Sequence, residues 1–279
     1  MKKLFLASAI FATFTLFTAC GDDSSSGPEA SEENSSSSIA TNTSSSLNDG
    51  MQESSSSEAV AEVMSAGYYE KNCPAGHNCR DAAPSTYLKS GFTYGEILDT
   101  RDDQVYKVVV IGEGTKAQTW MAQNLNYAYN HETAKSYCYG DDQNNCDTYG
   151  RLYTWAAAVE TCPSGWHLPS KAEWETLFSY VGNEVESNNV GTALKTASGW
   201  VSQTGDEADR DAYGFAVLPA GGRDKSGDFG EAGYSADFWS STESDDGGAY
   251  YELFVHDYSY VEVDRYTKDI AFSVRCLRD

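Results

Sequence analysis

The sequence predicts an α+β domain behind an N-terminal segment that does not fold. Three observations carry this reading. Residues 21–65 hold almost nothing to bury, the helix signals sit early in the remaining chain, and strand-like runs fill its second half. Helices first and strands last argue against a wound parallel sheet.

The chain opens with Lys2 and Lys3, and Leu4 to Leu16 is almost wholly apolar. A basic start, a short apolar run and small residues form the layout of a secretory signal, here residues 1–19. The run is too short to span ~30 Å of hydrocarbon as a helix. Cys20 directly follows the small pair Thr18-Ala19, a stretch that resembles a bacterial lipobox with Phe17 where Leu is commoner. Lipidation at Cys20 also accounts for the odd cysteine in a chain of seven. Ordinary cleavage nearby, leaving a free thiol, is the alternative.

Residues 20–65 form a Ser-rich linker with nine acidic and no basic residues after Cys20. Low hydropathy with one sign of charge predicts disorder and extension, which suits a tether. Gly21-Asp22-Asp23 resembles the acidic export tag of surface lipoproteins. The expected location is therefore the outer membrane, surface-exposed, with a periplasmic orientation as the alternative. The membrane is a partner only through the lipid. A net charge of −23 excludes nucleic acid and electrostatic docking to anionic lipid.

Residues 66–102 read as a leader rich in Tyr, Gly and Pro, in which Cys73 and Cys79 most simply close a local loop. The main domain spans residues 103–279. Tyr106 to Ile111 and Thr119 to Met121 predict a hairpin around Gly112-Glu113-Gly114. Leu152 to Thr161, Ala-rich and stopped by Cys162-Pro163, predicts a helix. Ser170-Lys171-Ala172-Glu173 is a capping box, and Trp174, Leu177 and Phe178 give the following helix (about 170–181) one apolar face. A helical turn is expected near Ala193 to Ala197. Strands are expected at Phe215 to Leu218, Phe238 to Ser241, Tyr250 to Val255, Val261 to Tyr266 and Ala271 to Cys276.

Six ordered motifs resemble one family. They are Gln118-Thr119-Trp120-Met121-Ala122-Gln123-Asn124-Leu125-Asn126-Tyr127, Tyr149-Gly150-Arg151-Leu152-Tyr153-Thr154-Trp155, and Cys162-Pro163-Ser164-Gly165-Trp166-His167-Leu168-Pro169-Ser170. Next come Gly214-Phe215 with Leu218-Pro219-Ala220-Gly221-Gly222-Arg223-Asp224, then Phe238-Trp239-Ser240-Ser241-Thr242-Glu243, then Ser273-Val274-Arg275-Cys276. Together they are similar to the Fibrobacter succinogenes major paralogous domain, over about Asp103 to Asp279. The Leu-Pro-x-x-x-Glu-Trp pattern and the closing strand also resemble the sulfatase-modifying, formylglycine-generating group, whose architecture is shared with C-type lectin domains. That resemblance implies two helices flanking twisted antiparallel strands. It also implies a long-range Cys162–Cys276 bridge. Cys138 and Cys146 complete the pairing, and in an oxidising compartment structural bridges are the default.

No arrangement of residues announces catalysis. The formylglycine-generating enzymes need reactive cysteines, and every cysteine after Cys20 has a partner to hand. His167 reads as a hydrogen-bonded structural histidine, and His77, His131 and His256 show no metal-ligand spacing. Glu173 and Glu243 would serve a two-carboxylate glycosidase on chemistry alone, but Glu173 is already a cap. Asp141, Asp142, Asn144 and Asp147 offer Ca²⁺ hard oxygens, without the EF-hand glycine and terminal glutamate; a solvated acidic loop is the alternative. Glu243-Ser244-Asp245-Asp246 is a second such loop.

Nineteen Tyr, eleven Phe and six Trp leave rings to spare. Trp120, Trp155, Trp166, Trp174 and Trp239 fall inside strand or helix motifs and read as core. Trp200, Tyr234, Tyr251, Tyr258 and Tyr260 lie in Gly/Asp-rich segments and are the ligand-stacking candidates. The function expected is non-catalytic binding or adhesion by a lipid-anchored envelope protein, to plant-wall polysaccharide. The alternatives are an enzyme related to the formylglycine-generating group and a structural component that binds another envelope protein.

Overall fold

A computed structural model describes residues 61–185, 187–203 and 205–279 of the chain. The signal at 1–19, Cys20 and the linker as far as residue 60 lie outside the described residues. The fold starts a little before the leader: Ala61 is buried and its amide donates to Ser164 O (2.9 Å), and Met64–Ser65 pairs with Gly95–Asp99. Val63 packs against the core here, so the apolar residues that end the linker are what bring it into the fold.

The secondary structure is mostly antiparallel strand with a few helices, an α+β arrangement in three sheets. In the first, Gly95–Asp99, Gln104–Ile111 and Gln118–Met121 run consecutively. The C-terminal strand Leu277–Arg278 then inserts between Gln118–Met121 and Trp166–His167. The second sheet orders Phe229–Gly230, Gly222–Arg223, Ala271–Phe272, Leu152–Thr154, Ala134–Tyr137 and Asn130–His131. The third is the meander Ser235–Glu243, Ala249–Val255 and Glu262–Tyr266. Among the described residues no helix is long and apolar enough to cross a membrane.

Alternation along the strands divides the interior into two cores. Tyr106, Met121, Tyr153, Trp239 and Phe272 share one; Val109, Trp120, Trp174, Phe215, Phe238 and Phe254 share the other. Neighbouring residues such as Trp120 and Met121, or Phe238 and Trp239, therefore point to opposite cores. The helix Lys171–Glu184 lays Trp174, Leu177 and Val181 into the second core behind the predicted capping box. Gly182 does not stop this helix, which runs on to Glu184.

Three expected elements differ. Leu152–Thr154 is a strand, and only Trp155–Ala158 is helical. Leu152 and Tyr153 face different apolar clusters, which a strand permits and one helical face does not. Phe215 to Leu218 is buried but makes only a Lys195–Val217 bridge. Ala216 sits at φ 56°, held there by its amide donating to Asp211 Oδ1 (2.8 Å), so extension is broken. Ala271 to Cys276 is not one strand: Ala271–Phe272 belongs to the second sheet, and the chain then crosses to the first as Leu277–Arg278.

All six described cysteines are bridged, as Cys73–Cys79, Cys138–Cys146 and Cys162–Cys276. Beside the last bridge lies Arg275, fully buried. Its guanidinium donates to Asn124 Oδ1 (2.6 Å), Met121 O (3.1 Å), Phe215 O (2.5 Å) and Ala216 O (2.7 Å). Burial pulls it down to about 9, against the opposing charge of Asp211. Burial likewise pushes Asp211 up to about 6.

The long bridge closes a separation of 114 residues and the leader bridge one of 6. Replacing Cys162 and Cys276 together by Ala should lower the unfolding free energy by about 5 kcal/mol, and replacing Cys73 and Cys79 by about 2 kcal/mol. Urea unfolding of both variants checks this, and equal losses would contradict it.

Two further acids are buried in the meander. Burial raises Asp237 to about 7, although Ser235 Oγ donates to it (2.9 Å). Burial raises Glu252 to about 8, and both its carboxyl oxygens lack a hydrogen bond. A carboxyl that keeps its proton longer in the native than in the unfolded state contributes stability at low pH. That contribution is lost as pH rises from about 4.5, the ordinary glutamate value expected in the unfolded chain, through the native value near 8. Glu252→Gln should therefore gain several kcal/mol relative to the parent between pH 5 and pH 9, read by urea unfolding at each pH. A pH-independent difference would count against this.

Candidate functional site

The predicted stacking residues are mostly brought together, and a buried lysine does it. Lys195 is fully buried, yet its ammonium donates to Val255 O (2.8 Å), His256 O (3.3 Å) and Tyr258 O (2.6 Å). Three donors on three carbonyls satisfy the group, while burial pulls its pKa down to about 8. The turn at 255–258 is thus tied to the 195–202 segment. Trp200 lies beside the same lysine, 5.1 Å from Nζ to the ring centre, and its Nε1 donates to Thr196 Oγ1 (3.2 Å).

Other bonds stitch the surroundings. The Val201 amide donates to Gly233 O (2.9 Å), the His256 amide to Tyr234 O (2.8 Å), and Ser202 Oγ meets His256 Nδ1 (2.8 Å). Tyr234 packs edge-on to His256 (5.4 Å), and Tyr258 stacks on Tyr260 (4.9 Å, 17°). Tyr260 is 41% exposed, Tyr234 46% and Val201 59%. Four of the five candidates therefore border one fixed turn with apolar surface left in solvent.

Tyr251 is the exception and corrects the expectation of a surface ring. It lies on the central strand of the meander, buried between Trp239 (6.3 Å) and Phe272 (4.8 Å). The pleat turns its side chain into the first core, and burial raises its hydroxyl.

The residues expected around Ca²⁺ have other tasks. Asp142 caps the helix Gln143–Tyr149, its Oδ1 accepting from the Asn144 amide (3.0 Å) and Nδ2 (2.9 Å). Asp147 Oδ1 accepts from Gln143 Nε2 (2.9 Å), and Asp141 sits at φ 57° before the cap. No group of three or more His, Cys, Asp or Glu able to hold a metal ion occurs among the described residues. In the second acidic loop Asp246 pairs with Arg265 (3.0 Å) and Glu243 with Lys268 (2.7 Å). His167 joins Asp279 (2.6 Å) to Glu173 (3.0 Å), and those bonds raise its pKa despite partial burial. Glu173 also accepts from the Ser170 amide (2.7 Å), so it serves as cap and tether.

Sequence reasoning missed a cavity of about 860 Å³ where the leader meets the first two family motifs. Its wall carries Arg80, Asp102, Gln104, Asn126, Tyr127 and Arg151. The buried amides of the first motif build it. Gln123 accepts from the Lys107 amide (2.7 Å) and donates to Ala83 O (2.9 Å), and Asn126 donates to Ala82 O (3.4 Å). Gly150 then brings Arg151 into place. At φ 74°, with a Cβ position only 2.7 Å from Asn124 Cβ, it admits no side chain. Arg151 Nε consequently reaches Asn126 O (3.3 Å). The available signal was Arg151 itself, a cation inside the Tyr149–Trp155 motif of a strongly acidic chain.

The site's geometry offers stacking surface at one place and a polar, partly cationic cavity at another. No curated protein and no solved structure proved significantly similar to the chain. Residues 114–278, more than half of its length, match the Fibrobacter succinogenes major domain, and the chain belongs to that family.

Proposed function

We propose that this protein is a lipid-anchored, surface-exposed component of the outer membrane whose domain binds polysaccharide without catalysis. The observation that carries the reading is the partly exposed ring set Trp200, Tyr234, Tyr258 and Tyr260 bordering the turn that Lys195 holds. Rings fixed by packing lose little freedom when a sugar face stacks on them, so their apolar area goes into binding. Cys20 supplies the anchor and the Ser-rich segment the reach. We further place the fold with the C-type-lectin-like and sulfatase-modifying architecture; the Cys162–Cys276 bridge between a pre-helix loop and the closing segment supports that kinship. A thiol-dependent reaction of the formylglycine type is disfavoured, since each of the six described cysteines is in a disulfide.

Retention of the full chain on cellulose, xylan and pectin tests this. We expect binding to at least one, weakened roughly threefold to tenfold by Tyr260→Ala or Tyr234→Ala. Absence of retention on all three, or retention that neither substitution alters, would sink the reading.

A further inference from the structure

We propose that the cavity between the leader and the Asn124–Tyr127 motif binds a singly charged carboxylate borne on a hydroxylated ring, the chemistry of a hexuronate. The site uses none of the stacking residues and stands independently of them.

The first argument is charge. Arg80 and Arg151 both line the cavity, and neither forms a salt bridge with a described residue. Each uses one guanidinium nitrogen on a backbone carbonyl, Asp102 O (3.1 Å) for Arg80 and Asn126 O (3.3 Å) for Arg151. The chain has 42 acidic residues against 19 basic, so two arginines without a salt bridge in one wall run against its composition; Asp103, the acid that feels the Arg80 charge, is bonded to His77. Their remaining donors suit the planar, two-oxygen geometry of a carboxylate.

The second argument is what the neighbouring acids do. Asp81 pairs with Lys107 (3.2 Å), Asp102 accepts from Gln104, and Asp147 accepts from Gln143 (2.9 Å). None of them forms a salt bridge with either arginine, although all three line the same cavity. Three carboxylates repel a doubly charged phosphate or sulfate and offer acceptors to hydroxyl groups. Asn126 also lines the cavity, but its unpaired Oδ1 is itself closed off from solvent and takes no part in the assignment. One charge with several hydroxyls fits this wall; a bare anion does not. The volume is in the range of small-molecule cavities and admits more than one ring.

Calorimetric titration of the full chain with digalacturonate, cellobiose and inorganic phosphate at low ionic strength tests the assignment. Digalacturonate should bind the parent, and Arg80→Gln or Arg151→Gln should weaken it by about tenfold or more while leaving retention on neutral glycan unchanged. Arg80 is exposed, so its variant tests the site even where Arg151→Gln perturbs folding. The proposal is overturned by a folded parent that ignores digalacturonate, by unchanged affinity in the Arg80 variant, or by phosphate binding as tightly as the uronate. Loss of uronate binding with neutral-glycan retention intact separates this site from the aromatic surface.

Discussion

The structure hangs on one buried cation. Arg275 lies in the interior with no solvent around it, a placement that costs several kcal/mol unless its donors are filled. They are filled by residues far apart in sequence: Asn124, the Met121 carbonyl beside it, and the Phe215 and Ala216 carbonyls. The opposing charge of Asp211 works in the same place and holds the Ala216 amide, which fixes the left-handed turn that presents those carbonyls. Cys276, the next residue, is tied to Cys162. Three of the family's motifs thus converge on one guanidinium, and a fourth is bonded covalently beside it.

Function follows from what this wiring leaves free. The amides of Gln123 and Asn124, and the Nδ2 of Asn126, are consumed in holding strands and leader together, so they are structural even where they border the cavity. The surfaces proposed for ligands are the ring set fixed by Lys195 and the spare guanidinium donors of Arg80 and Arg151. Both rest on backbone carbonyls gathered by a cation, the same device that Arg275 uses in the core. The family motifs describe the scaffold, and most of the candidate recognition surface lies outside them.

How much of this was legible follows from the range of the interactions. The capping box at Ser170, the Trp174/Leu177 face and the Cys73–Cys79 loop are local, and the sequence displays them directly. At Leu152–Thr154 the apolar, Ala-rich run that follows favours a helix locally, and only the neighbours across the sheet make it a strand. The break at Ala216 depends on Asp211 and Arg275, and Tyr251 is core because of a strand register; neither leaves a local trace. The Gly/Asp-rich setting of Tyr234, Tyr258, Tyr260 and Trp200 does correspond to partial exposure. The cavity was not legible, because its walls come from segments far apart in sequence, joined by the pairing of Arg80–Asp81 with the Gln104–Ile111 strand and by the buried amides.

The central claim is that Arg275 couples the motifs energetically rather than merely lying among them. A double-mutant cycle with Asn124→Ala and Arg275→Met, read by urea unfolding, tests it most directly. The account predicts that the two losses overlap, with a coupling of about 1.5 kcal/mol or more. Additive losses, with coupling near zero, would contradict it.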